Sequence, residues 1–217
     1  MLSGGYGYPE GMPRWEPDAQ LRLETAALEL FAERGYDGTT VADIAERAGL
    51  MKRSFFRYFP DKREALFGGT ERLVAHLRQE VEEAPADTPP WQVLIAALTS
   101  SGRLFPKDRA VAHQRQSVIA ANPELREREV LKMATLHDLL TSLLAQRGIP
   151  ERQAAYLVRL AQTVYEQAFA QWIAPGADMT FEGCMADAAA ELDRALTLGM
   201  ADATSAARRL GAGQPAR

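Results

Sequence analysis

Thr39-Thr40-Val41-Ala42-Asp43-Ile44-Ala45-Glu46-Arg47-Ala48-Gly49-Leu50-Met51-Lys52-Arg53-Ser54-Phe55-Phe56-Arg57-Tyr58-Phe59-Pro60 joins a helix cap, two short helical patterns and a glycine turn in one segment. Thr39 and Thr40 form a strong N-cap pair, because their hydroxyls can accept the first free amides of a helix. Val41, Ile44, Ala45 and Ala48 then recur at i, i+3, i+4 and i+7, which is one apolar helical face. Gly49 supplies a turn, and a second short helix is expected from about Lys52 to Phe59. At the helical period Phe55 and Phe59 point one way as anchors, while Arg53, Ser54 and Arg57 point the other. Phe56 and Tyr58 flank that outer face, and Lys52 opens it. Upstream, a longer helix from about Pro17 to Arg34 stops at Gly35. Two short helices with a glycine turn, buttressed by a longer one, make a helix-turn-helix.

Charge segregates onto this unit. The 217-residue chain has 25 Lys+Arg against 29 Asp+Glu, a net charge of −4. A net acidic chain is not a general polyanion coat, so any nucleic-acid binding must come from a local patch. Arg47, Lys52, Arg53, Arg57, Lys62 and Arg63 lie within seventeen residues that contain Asp61 as the only acid. That window carries +5 and leaves −9 on the rest. A face of arginines, a hydroxyl and aromatic rings suits a major groove: arginine grips guanine bidentately, and rings rest on thymine methyls or sugars.

Elsewhere the pattern is helical, and the chain reads as all-α with about nine helices. Apolar stripes run through Leu23, Ala27, Leu30 and Phe31, then Trp91, Leu94, Ile95 and Leu98, then Leu136, Leu139, Leu140, Leu143 and Leu144. Leu157, Leu160, Ala161 and Val164 form another, and Phe181, Met185, Ala188, Leu192 and Leu196 the last. Caps mark the borders: Asp61 with Glu64, Asn122 before Pro123, Gly148 after Arg147, and Thr180. Met1 to about residue 16 and residues 201–217 read as flexible tails, 17–60 as the helix-turn-helix domain and 61–200 as a helical body. Gly68-Gly69 falls inside the expected fourth helix, either as a packing contact or as a hinge. The start of the chain lacks a signal-peptide core, no apolar run approaches a membrane span, and Cys184 is alone; these point to a cytoplasmic protein.

The stretch Leu30-Phe31-Ala32-Glu33-Arg34-Gly35-Tyr36, then Thr39 to Leu50, then Phe55 to Leu66, resembles the TetR family of transcriptional regulators. The resemblance begins near Leu21 and spans about fifty residues. It implies a DNA-binding surface of Thr39, Thr40, Lys52, Arg53, Ser54, Phe56, Arg57, Tyr58 and Lys62. Thr40 and Lys62 would meet phosphates; Lys52, Arg53 and Ser54 would face base edges; Phe56, Arg57 and Tyr58 would meet backbone and adjacent bases. Met51 stands where the family usually has a Ser or Thr cap, and Phe56 where tyrosine is common. The resemblance further implies a homodimer through the last two helices on a double-stranded, palindromic operator. It implies a small hydrophobic or aromatic effector within the body, with Trp91, Phe105, His113, Met133, His137, Tyr165, Phe169 and Trp172 as candidate liners. The reading is a ligand-released repressor. The alternative is a helical interaction protein that has lost sequence-specific DNA binding. An enzyme is not expected: His137-Asp138 has no partner set, Cys184 has no histidine near it in sequence, and Gly68-Gly69 lacks the Lys-Ser/Thr of a phosphate loop. No cofactor or metal is expected.

Overall fold

In the computed structural model, α1 spans Ala19–Arg34, α2 Val41–Arg47 and α3 Lys52–Phe55. A 3-10 turn follows at Glu64–Leu66. The structure describes residues 18–211, with side chains through residue 198. The expected tail at 1–16 and residues 212–217 lie outside the described residues. The chain divides into two compact units that part between Gly68 and Gly69.

The first unit closes around the apolar stripe of α1. Leu23, Ala27, Leu30 and Phe31 are buried together with Ile44, Ala45, Phe55 and Phe59. Ala65, Leu66 and Phe67 join this core, so residues 61–68 fold with the reading head and the unit runs past the expected border at Pro60. Gly49 sits at φ 67, a left-handed conformation that lets α2 turn sharply into α3.

Two expectations about this region change. The second short helix is α-helical only from Lys52 to Phe55; residues 56–58 continue as turns. Met51 occupies its N-cap and makes no side-chain cap bond, so nothing stiffens its start. Gly68 and Gly69 do not interrupt a helix, because residues 61–69 form turns and the fourth helix begins only at Thr70. Gly68 is there for close approach: a Cβ would lie 2.2 Å from Glu24 Oε1 and 2.9 Å from Phe59 Cε1.

The second unit contains α4 (Thr70–Glu83), α5 (Pro90–Ser100), α6 (Arg109–Ala121), α7 (Pro123–Gln146), α8 (Glu151–Ile173) and α9 (Phe181–Gly211). A 3-10 turn at Ser101–Leu104 follows α5. All nine α-helices of the expectation are present among the described residues, and those residues contain no strand. Asn122 caps α7 as its sequence suggests, its Oδ1 accepting from Glu124 N at 3.0 Å and Leu125 N at 3.3 Å. Helix α8 is central and packs against α5, α6, α7 and α9. Its buried stripe is Ala154, Val158, Ala161, Val164, Ala168 and Trp172. That stripe is rotated from the expected one, and Leu157 and Leu160 are only half-buried. The small alanines bring neighbouring helices close. The backbone of α9 stays helical to Gly211, past the expected start of a tail at 201.

Arg147 donates to Val81 O at 3.2 Å and Ala84 O at 2.9 Å, gathering the free carbonyls at the end of α4. No described helix is long and apolar enough to cross a membrane.

Candidate nucleic-acid interface

The reading surface is built from the cap of α2 outward. Thr40 and Asp43 form a reciprocal capping box: Asp43 N donates to Thr40 Oγ1 at 3.2 Å and Thr40 N donates to Asp43 Oδ2 at 2.8 Å. The Thr40 hydroxyl also donates to Asp43 Oδ2 at 2.6 Å. Its proton is therefore committed, and Thr40 reaches a phosphate only by releasing Asp43. These bonds to the carboxylate hold the Asp43 carboxyl below its usual range.

Thr39 does not belong to the surface. It is 1% exposed, and its hydroxyl donates to Gly35 O at 2.9 Å and Leu30 O at 3.2 Å. It closes the end of α1, where carbonyls lack helical partners.

Lys62 is also turned inward. Its ammonium donates to Tyr36 O at 2.6 Å and Thr39 O at 3.0 Å, and lies 4.1 Å from the centre of the Tyr36 ring. It clamps the α1–α2 turn, which corrects the expectation of a phosphate contact. Arg47 is committed likewise, with Nη1 at 3.2 Å from Glu29 and Nη2 at 2.8 Å from Glu33. Arg63 sits 3.5 Å from both Asp61 and Glu64. Three of the six basic residues thus serve the unit itself.

The other three are Lys52, Arg53 and Arg57, and all three side chains are exposed. Ser54 is half-buried beside them. Phe55 and Phe59 are buried behind them with ring centres 5.5 Å apart, as the anchor reading requires. Phe56 is 52% exposed, an uncommon position for a phenyl ring without a partner surface, and its edge contacts Phe55 at 5.6 Å. Tyr58 is half-buried and holds the Arg57 guanidinium 6.0 Å from its ring centre.

Sequence reasoning missed Arg22. Its Nε donates to Ala48 O at 3.0 Å, and its Nη2 reaches Ala48 O and Gly49 O. It therefore holds the turn between α2 and α3 from the side of α1. The signal was weak, because one arginine in an amphipathic helix looks like any other solvated charge.

In the body, the eight expected liners do not surround one pocket. Phe105, Phe169 and Trp172 pack on each other and on Phe181, with ring centres 4.8 to 6.0 Å apart. They fill the core and leave no space between them for a ligand. Arg109 lies 5.7 Å from the centre of the Trp172 ring and donates to Met179 O at 2.6 Å, fixing the α8–α9 connection. His113 is exposed on α6, which corrects its place among the liners. Trp91 is half-buried at the start of α5.

Met133, His137 and Tyr165 do converge, around Gln162. Gln162 Nε2 donates to Met133 O at 3.0 Å, and its Oε1 lies 3.1 Å from His137 Nδ1. The slot beside them holds only about 10 Å³. Gln162 was not anticipated, although a glutamine on the apolar stripe of α8 was a readable anomaly.

Comparison with known proteins places both units. Residues 24–68 match the family model for bacterial regulatory proteins of the TetR family, and residues 88–197 match the MftR C-terminal domain. A curated relative is the putative mycofactocin biosynthesis transcriptional regulator MftR of Mycobacterium tuberculosis, 26% identical over 152 residues, covering 66% of this chain and 76% of that protein. FadR of Thermus thermophilus, a TetR-family transcriptional repressor solved with lauroyl-CoA, aligns with a TM-score of 0.51 and 24% identity, covering 80% of this chain and 92% of that one. A putative TetR-family regulator of Syntrophomonas wolfei aligns with a TM-score of 0.59 and 15% identity, covering 82% and 94%. With its reading head and its body both matched, the chain belongs to the TetR family of DNA-binding transcriptional regulators.

Proposed function

We propose that this chain is a ligand-responsive repressor that acts in the cytoplasm as a homodimer on a palindromic operator. The carrying observation is the outward trio Lys52, Arg53 and Arg57, backed by buried Phe55 and Phe59. Lys52, Arg53 and Ser54 read base edges in the major groove. Phe56, Arg57 and Tyr58 meet the backbone and the neighbouring bases.

Dimerisation runs through α8 and α9. In support, α8 leaves Tyr156 62% exposed, and α9 leaves Leu196 and Leu198 45% and 71% exposed. Such side chains on alanine-rich helices suit burial against a two-fold mate. Two reading heads then require two half-sites.

The effector is apolar and enters the body near Met133, Tyr165 and Gln162. Lauroyl-CoA in the Thermus FadR shows that a body of this fold can hold an acyl chain. Binding favours a state of the dimer with weaker operator affinity, a coupling of about 1–3 kcal/mol.

The test is fluorescence anisotropy with labelled DNA flanking the chain's own gene, alongside light scattering for mass. Tight, salt-sensitive binding by a dimer, lost in a Lys52/Arg53/Arg57 triple alanine variant, is the expected result. No binding to any such fragment at low salt would favour an interaction protein of the same fold.

A further inference from the structure

Four elements of the body bring an ionic cluster into its interior. Lys132 Nζ lies 2.6 Å from Glu129 Oε1, and Arg115 Nη2 lies 3.4 Å from Glu129 Oε2. The side chains of Lys132, Glu129 and Arg115 are 12%, 23% and 26% exposed. The Tyr165 hydroxyl stands beside them, bonded to the buried Ser101 hydroxyl and within reach of the charges on Glu129 and Arg115.

Desolvation marks the cluster. Burial, and then the charge of Arg115, lower the Lys132 ammonium from its usual value. Burial alone would raise the Glu129 carboxyl, but Lys132 and Arg115 hold it below its usual range. Burial pushes the Tyr165 hydroxyl up to about 12.

The slot near Gln162 adjoins this cluster through Tyr165, which lines it. Its other walls are aliphatic: Leu73, Leu77, Leu98, Met133, Leu136 and Leu140. At about 10 Å³ it has room for roughly one water and no chain, so the slot is closed. Met133 is its most adaptable wall, since an unbranched thioether repacks at little cost. An aliphatic slot that ends at a tyrosine and two buried cations has the polarity of an amphipathic anion.

We propose that Arg115 and Lys132 receive the acid group of an effector with an aliphatic body, and that Glu129 holds their place until it arrives. The exchange is one anion for another. Glu129 swings toward solvent as the incoming acid group replaces it, so the two cations are never left bare, which would cost several kcal/mol. The aliphatic body parts Met133 from the leucines and opens the slot. The proposal rests on the reading of the chain as an effector-controlled regulator, but it is tested on the free protein, so a failure of DNA binding leaves it standing.

The experiment is calorimetric titration of the full chain with dodecanoate, dodecyl phosphate and dodecanol, each kept below its micelle concentration. Saturable binding of at least one acid, about 10-fold or more tighter than the alcohol, is expected. Comparing the two acids separates a carboxylate head from a phosphate head, and a preference for either supports the proposal. Arg115→Gln and Lys132→Met should each remove most of the advantage of the acid and leave dodecanol unchanged. Glu129→Gln should strengthen acid binding several-fold, because the internal competitor is gone; a merely structural ion pair would not give that sign. Circular dichroism confirms that each variant is folded, and Arg115→Gln with Glu129→Gln decides the matter if Lys132→Met is not. Equal binding of acid and alcohol, weaker acid binding by Glu129→Gln, or no saturable binding would overturn the proposal.

Discussion

Replacing Lys62 by methionine separates two roles that a lysine at this position can have. Methionine keeps the apolar length of the stem and removes the ammonium. The side chain then loses charge-assisted bonds to Tyr36 O at 2.6 Å and Thr39 O at 3.0 Å, and the ring contact at 4.1 Å. Bonds to a charged group are each worth about 1.5–3 kcal/mol, and a cation over an exposed ring about 0.5–1 kcal/mol. Lys62 is only half-buried and water can replace part of each bond, so the low end applies and the sum is about 2–3 kcal/mol. Urea unfolding followed by circular dichroism should show that loss at an unchanged m value. The salt slope of operator binding should stay the same, because no phosphate contact is removed. A stability change under about 0.5 kcal/mol, with a slope that falls by about 0.9 per lost contact, would refute the clamp and restore the phosphate role.

Arg53→Ala should cost about 1–3 kcal/mol on the best operator and relax discrimination at one base position, read from anisotropy across single-base variants. Thr40→Ala should destabilise the first unit by about 1 kcal/mol, measured by urea unfolding. The same series has a pH sign: the Asp43 carboxyl is lower folded than unfolded, so its contribution is present above the unfolded pKa and lost as pH falls through the folded one. Thr40→Ala should flatten that acid-side loss. Gly68→Ala should destabilise by about 1–3 kcal/mol, since the new methyl overlaps the Phe59 ring, while Gly69→Ala, whose nearest neighbour is Arg72 Nη2 at 3.4 Å, should be nearly neutral by thermal unfolding.

The helices and the anchors of the reading head were legible because burial imposes a period on the sequence. Leu23, Leu30, Ile44, Phe55 and Phe59 fall where the spacing puts them. What the spacing does not carry is the direction of a polar group. Thr39 and Thr40 are adjacent and identical, yet one hydroxyl closes α1 inside the unit and the other caps α2 outside. Lys62 and Lys52 are the same residue type, and only the fold brings free turn carbonyls to the first. The length of α3 was overread because Phe55 and Phe59 satisfy a helical spacing even when the chain tightens into turns between them. In the body, aromatic content suggested a pocket. The rings instead satisfied one another, and the polar residues that mark an interior site, Arg115, Glu129, Lys132 and Gln162, look from spacing alone like solvated charges and an ordinary amide.

The aromatic cluster also determines what light can report. Trp172 is buried against Phe105, Phe169 and Phe181 under the Arg109 guanidinium, and Trp91 packs against the same core. The reading unit has no tryptophan among its described residues, and Trp15 lies outside them. In a Trp15→Phe background, tryptophan emission is therefore silent to local events at the DNA surface. Any change in it when operator DNA is added is a signal that has crossed from one unit to the other, so an ordinary fluorimeter measures the coupling between operator and effector sites without a label.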